Sequence, residues 1–245
     1  DTWEADFTAD PSYQSLGKNE YTNFTVTSGS MTDGGTFNGL YNEYMEGMYM
    51  GYRYYETADA MDENFVYGTL DGNGAFTEAG AVCYPFGYGL SYTEFTQEFT
   101  SIEDNGYDIT AKVKVTNTGD AAGKEVVQLY YNAPYTELDE QYQIEKPVVN
   151  LVAYDKTEVL EPGESQEVTL NFTWDDLSSY CYTHENADGT TGCYMLEAGD
   201  YTISLRNNSH DLIEEKTVTK ADTIWYDGSD EAHIRQTEKD AQSEM

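Results

Sequence analysis

Residues 109–116 alternate without a break: Ile109, Ala111, Val113 and Val115 are apolar, and Thr110, Lys112, Lys114 and Thr116 are polar. A side-chain period of two does not fit a helix, and it places the four apolar residues on one face of a strand. The pattern recurs twice. After Glu161-Pro162-Gly163-Glu164, Val168, Leu170 and Phe172 point inward while Glu167, Thr169 and Asn171 point outward; after Ala198-Gly199-Asp200 come Tyr201, Ile203 and Leu205. Between them, Val126, Val127, Leu129, Tyr130 and Tyr131 form a nearly continuous apolar run, which predicts a strand covered on both faces. Short strands at regular spacing, turns rich in Gly, Pro and Asp, and no strong helix predict a mainly β chain with a two-sheet sandwich of about seven strands. The boundaries fall at 94 and 222.

The flanks read differently. Residues 1–93 are rich in Gly, Asn, Thr and Tyr with no sustained apolar period, so this irregular, coreless segment cannot offset a backbone ordering cost of ~1–2 kcal/mol per residue by itself. Tyr21–Val26 reads as a short strand and Asp33-Gly34-Gly35 as loop. The 23 tyrosines of the chain suit surfaces that pack on a neighbour. Residues 223–245 lose alternation and read as a linker or tail.

A formal charge of -34, from 46 acidic against 12 basic residues, excludes nucleic acid and anionic membrane surfaces as partners. No apolar run approaches the ~20 residues of a membrane span, so no membrane insertion is expected. Cys83, Cys181 and Cys193 allow at most one internal bridge. Cys181 and Cys193 flank the turn signal Asp188-Gly189, and this predicts a disulfide closing a hairpin, with Cys83 left as a buried thiol. Only His184 lies near them, so no zinc site, no other metal and no cofactor is expected.

Two stretches carry a resemblance. Tyr44-Met45-Glu46-Gly47-Met48-Tyr49-Met50-Gly51-Tyr52-Arg53-Tyr54-Tyr55-Glu56-Thr57 and Tyr84-Pro85-Phe86-Gly87-Tyr88-Gly89-Leu90-Ser91-Tyr92-Thr93 resemble the end of the α/β sandwich domain of family 3 glycoside hydrolases, the β-glucosidase-like enzymes. The next part of the chain is similar to that family's fibronectin-type-III-like, immunoglobulin-like sandwich: Val113-Lys114-Val115-Thr116-Asn117-Thr118-Gly119, Gly123-Lys124-Glu125-Val126-Val127-Gln128-Leu129-Tyr130, Leu160-Glu161-Pro162-Gly163-Glu164-Ser165 and Leu196-Glu197-Ala198-Gly199-Asp200-Tyr201. The resemblance implies three parts: 1–93 as the end of the α/β sandwich domain, 94–222 as the fibronectin-like domain, and 223–245 as a linker. It also implies retaining hydrolysis of β-glycosidic bonds by two carboxylates. The nucleophilic Asp belongs to a separate (β/α)8-type barrel and the acid/base Glu to sequence upstream of the Tyr-rich motif, so neither is expected here. His233-Ile234-Arg235-Gln236-Thr237-Glu238-Lys239-Asp240 is similar to the linker that leads into the barrel in permuted members.

The chain alone is therefore expected to be an inactive, non-catalytic scaffold segment, extracellular or on the cell surface. Its partners would be the missing barrel or further copies of itself, with carbohydrate bound if the site is completed. The alternative is a self-assembling filament or cell-surface protein built from the same pieces. No catalytic residue is assigned and the substrate-binding residues are unknown. Glu46 is the tempting acid but does not match the family's acid/base position, and Arg53 reads as a strut. Tyr52, Tyr54 and Tyr55 suit an aglycone wall but read first as alternating residues of a packed strand. The glycines of 86–90 lack the Lys-Ser/Thr of a phosphate loop and read as tight turns. Asp71-Gly72-Asn73-Gly74 lacks the remaining ligands of a calcium loop. His184, His210 and His233 are scattered without nucleophilic partners.

Overall fold

A computed structural model describes residues 25–27, 36–38, 47–68, 80–229 and 234–235. Ahead of the sandwich, β1 (Thr25–Thr27) and β2 (Thr36–Asn38) pair as an antiparallel hairpin. Helix α1 (Tyr52–Met61) starts after Gly51, whose φ of 58° suits glycine. Here the strand expected from Tyr52, Tyr54 and Tyr55 is corrected. Those three tyrosines fit a period of two and a period near 3.6 equally, and the helix-forming Glu56, Ala58, Ala60 and Met61 beyond them favour the helix. Tyr55 and Glu56 are buried, while Tyr54 is 48% exposed.

The sandwich is built, in chain order, from β3 (Phe95–Asp104), β4 (Asp108–Asn117), β5 (Val126–Asn132), β6 (Asn150–Lys156), β7 (Ser165–Thr173), β10 (Gly199–Arg206) and β11 (Leu212–Lys220). One sheet has the order β11-β10-β5-β6 and the facing sheet the order β3-β4-β7. All pairings within them are antiparallel. Ile109, Ala111, Val113 and Val115 of β4 are fully buried against Val127 and Leu129 of β5 and Ile203 and Leu205 of β10. Val168, Leu170 and Phe172 of β7 complete that core. Trp174, in a short 3-10 turn (Trp174–Leu177), closes one end by packing edge-on to Tyr201 at 5.3 Å and donating its indole N–H to Asp104 Oδ1 at 3.1 Å. The fold is the β-sandwich that the alternation predicts.

A third sheet stands beside the sandwich. It consists of β8 (Ser179–Glu185), β9 (Thr191–Leu196) and β12 (Ile224–Trp225), in the order β12-β9-β8. The β8–β9 turn uses the predicted Asp-Gly step: Gly189 has φ 83°, and Asp188 Oδ1 accepts from the Thr190 N–H at 2.9 Å. Cys181 and Cys193 lie directly opposite each other in the register, yet no disulfide joins them. The expected bridge is corrected to two buried thiols. Cys181 packs as a small apolar side chain on Ile144 and Met195, and its Sγ sits 3.5 Å from Thr183 Oγ1. The linker expected after 222 is also packed in part. Ile224 and Trp225 pair with Leu196 and Met195, and Arg235 lies 3.9 Å over the Tyr194 ring while donating to the Asp175 carbonyl.

Between β5 and β6, helix α2 (Glu137–Tyr142) is opened by a capping box of Thr136 and Asp139. Beneath it Lys146, Asp139 and Glu197 form a buried ionic triad, with side-chain exposures of 4%, 0% and 3%. Lys146 Nζ donates to the Pro134 carbonyl at 2.7 Å and to Glu197. It approaches Asp139 Oδ1 to 2.6 Å off the hydrogen-bond line, an ion pair rather than a formed hydrogen bond.

Candidate functional site at the helix–sandwich junction

The continuous apolar run in β5 requires a cover on its second face, and α1 together with residues 84–88 supplies it. Tyr130, which projects away from the core residue Leu129, meets Tyr52 edge-on at 6.1 Å, and Tyr52 stacks on Phe86 at 4.6 Å. Gln128 donates from Nε2 to the carbonyls of Gly87 and Asn207, at 3.1 and 2.9 Å, and accepts from Tyr130 Oη at 2.8 Å. Burial raises the Tyr130 phenol well above its ordinary value. Backbone bonds stitch the same seam. The Leu151 N–H donates to Tyr52 Oη at 2.9 Å, the Val148 N–H to Thr57 Oγ1 at 3.2 Å, and the Ser209 N–H to the Phe86 carbonyl at 2.8 Å. Gly87 has φ 81°, and a Cβ there would fall 2.1 Å from Gln128 Oε1, so this turn needs glycine.

At the centre of the junction Glu56, 5% exposed, receives three side-chain donors. Tyr67 Oη and Ser209 Oγ donate to Oε1 at 2.5 and 2.7 Å, and His210 Nδ1 lies 3.0 Å from Oε2. The His210 ring stacks on Tyr67 at 3.9 Å. The hydrogen bond with Glu56 holds the His210 pKa above its ordinary value against an opposing effect of burial. Burial, then the contact with Glu56, raises the Tyr67 phenol. A buried carboxylate that takes two donors on Oε1 and a third on Oε2 is held as an anchor between the helix and the sandwich. Beside it lies an open groove of about 670 Å³ whose walls include Tyr52, Tyr55, Tyr67, Tyr84, Phe86 and Tyr88. Leu90, at its edge, is 89% exposed.

A fibronectin type III-like domain model matches residues 125–209. Beta-glucosidase A of Butyrivibrio fibrisolvens is 37% identical over 70% of this chain, and the match spans 19% of that enzyme. A Ruminococcus albus beta-glucosidase is 38% identical over 65% of this chain and 14% of its own length. Among solved structures, a Paenibacillus barengoltzii beta-glucosidase superposes with a TM-score of 0.56 at 35% identity, over 74% of this chain and 18% of that one. A Bifidobacterium adolescentis GH3 beta-glucosidase does so at 0.54 and 27%, over 73% of this chain and 21% of that one. The chain belongs to glycoside hydrolase family 3. It spans about a fifth of the length of the relatives it matches.

Seen as a family 3 glycoside hydrolase sequence, the chain distributes its conspicuous residues unevenly. Arg53 lies half-buried on α1, with a buried Nε that has no hydrogen-bond partner among the described residues. His184 stacks on Trp225 at 4.2 Å and meets Asp227 Oδ2 at 3.3 Å, away from the junction. Glu46, His233 and the Asp71-Gly72-Asn73-Gly74 stretch lie outside the described residues. Sequence reading missed the Glu56, Tyr67, Ser209 and His210 cluster. His210 lies 154 positions from Glu56, and the one local signal was that Glu56 shares a helical face with Tyr52 and Tyr55, visible only once that segment is read as a helix. Among the described residues no group of three or more His, Cys, Asp or Glu could hold a metal ion, and no described helix is long and apolar enough to cross a membrane.

Proposed function

We propose that the chain is the non-catalytic scaffold of a β-glucosidase-type family 3 enzyme: a fibronectin-like platform that fixes the end of the α/β sandwich domain while other parts of the enzyme cleave the β-glycosidic bond. The observation that carries this reading is the covered second face of β5, where Gln128 and Tyr130 are spent on holding Gly87, Phe86 and Tyr52. Among the described residues, the buried carboxylate at the junction is Glu56, and it is engaged by three donors from Tyr67, Ser209 and His210. Retaining hydrolysis needs two carboxyl groups ~5–5.5 Å apart; on this reading both come from the remaining four-fifths of the enzyme. The platform works by position. It turns the groove and its exposed aromatic rim toward the barrel and upstream sandwich residues. Secretion or cell-surface display fits the acidic charge and belongs to the same proposal.

The test is the full reading frame expressed with Tyr52→Ala and, separately, with Glu46→Gln. Tyr52→Ala should lower thermal stability and kcat/KM on an aryl β-glucoside by misplacing the catalytic parts, whereas Glu46→Gln should leave both near wild type. A fully active Tyr52→Ala enzyme would reject the scaffold role. The exposed rim at Leu90, Tyr84 and Phe86 favours a second reading, self-association through this face. Sedimentation of the chain over a range of concentrations separates the two, since a constant monomer excludes assembly.

A further inference from the structure

Beside the contacts of Tyr52 with Leu151 and Tyr130 and of Thr57 with Val148, helix α1 is fastened to the sandwich by a contact that pairs a carboxylate with an imidazole. Glu56 on the helix meets His210 in the turn that joins β10 to β11, and these elements are far apart in the chain. The His210 side chain is 36% exposed and the Glu56 side chain 4%, so the imidazole can exchange protons with water while its partner carboxylate cannot hydrate. We propose that Glu56 and His210 form a protonation-gated latch: a cationic His210 clamps α1 onto the sandwich, and a neutral His210 loosens it. This rests on the junction being the seat for the rest of the α/β sandwich domain, and it adds that the firmness of that seat depends on pH.

The surroundings favour the cation. From the helix, Glu56 and Asp59 face the ring; Tyr67 stacks on it; from the sandwich come Asp211, the Arg206 guanidinium and, lining the same cleft, Glu215. Arg206 is the one positive charge among them, and it is turned to its own loop, donating to Ser204 Oγ and to the carbonyls of Ser209 and His210 at 2.9, 3.1 and 3.3 Å. Asp211 Oδ2 is held by the Asn208 side chain at 2.7 Å. The carboxylates therefore outnumber the cation around His210. A histidine whose pKa is raised on folding contributes stability in full below its unfolded value and loses it as pH rises through the folded value. The neutral ring can still donate one hydrogen bond, and Tyr67 and Ser209 continue to donate, so the latch weakens without opening fully. Loss of the charge-assisted part corresponds to roughly a tenfold change in the opening equilibrium of the helix.

Hydrogen exchange of the whole chain, corrected for intrinsic rates, reads this directly between about pH 5.5 and about pH 8.5, on either side of the ordinary imidazole value. Amides of residues 55–61 should lose about tenfold in protection across that range, while those of β4 and β7 stay unchanged. His210→Gln should be weakly protected and flat with pH. His210→Arg, which keeps a cation at every pH, should be protected and flat. A wild type whose helix protection does not vary with pH overturns the latch. So does a pH dependence that survives in His210→Gln, which would assign it to repulsion among the carboxylates. The readout belongs to this chain's own amides, so a failed scaffold role, seen as full activity in Tyr52→Ala, would leave it standing.

Discussion

Replacing Lys146 by Met should be the most damaging single change in the sandwich. The side chains of Lys146, Asp139 and Glu197 are 4%, 0% and 3% exposed, so removing the ammonium leaves two carboxylates without a cation and out of reach of water. Asp139 Oδ2 keeps the Thr136 N–H at 2.8 Å, and Glu197 keeps the Thr136 hydroxyl; neither neutralises a charge. Stranding a buried charge in this way costs about 3–5 kcal/mol. For a domain of this size that is a fall in Tm of roughly 6–20 °C. Methionine fills most of the space vacated by the lysine stem, which keeps the packing loss small. The assay is thermal unfolding by circular dichroism together with the guanidinium midpoint. Adding Asp139→Asn and Glu197→Gln to Lys146→Met should recover more than half of the loss, because it removes the stranded charges and retains the polar contacts. A Lys146→Met protein within about 1 kcal/mol of wild type, or a triple variant no better than the single one, would refute the electrostatic argument.

Individual contacts give further expected outcomes. Gly87→Ala should destabilise the junction by about 1–3 kcal/mol, since it strains a φ of 81° and drives a Cβ into Gln128 Oε1; exchange at residues 84–90 should rise while β4 stays protected. Cys181 and Cys193 should alkylate only after unfolding, without reductant, and an intact mass short of two hydrogens would contradict their assignment as thiols. Arg235→Ala should remove the cation–π contact with Tyr194 and the bond to the Asp175 carbonyl, costing about 0.5–2 kcal/mol and making residues 224–235 the first site of proteolysis.

The sandwich was legible because its strands are half-buried and their sequence repeats the period of the pleat. Ile109 to Val115, Val168 to Phe172 and Tyr201 to Leu205 each show which face is inside without any long-range information. The continuous run in β5 also announced a second cover, though not which segment provides it. Helix α1 was harder to read because Tyr52, Tyr54 and Tyr55 satisfy two periods at once, and three residues do not separate 2.0 from 3.6. The cysteine pairing went wrong at a finer scale. The Asp188-Gly189 turn is consistent with the register that sets Cys181 opposite Cys193 on one face, but facing positions do not by themselves supply the Cβ separation and dihedral that a bridge requires, and the β8–β9 pairing shifts between Cys181 and Glu185. The Glu56–His210 contact could not be read locally at all. It forms only after the sheet has brought the β10–β11 turn to the helix.

The scaffold role is tested most directly by turnover of an aryl β-glucoside with the purified chain of 245 residues, monitored to high enzyme concentration. No hydrolysis above the buffer rate is predicted, with hydrolysis by the full reading frame under the same conditions. Turnover by the chain alone that disappears on replacing one of its own carboxylates, Glu46→Gln or Glu56→Gln, would show that the chemistry resides here and contradict the account.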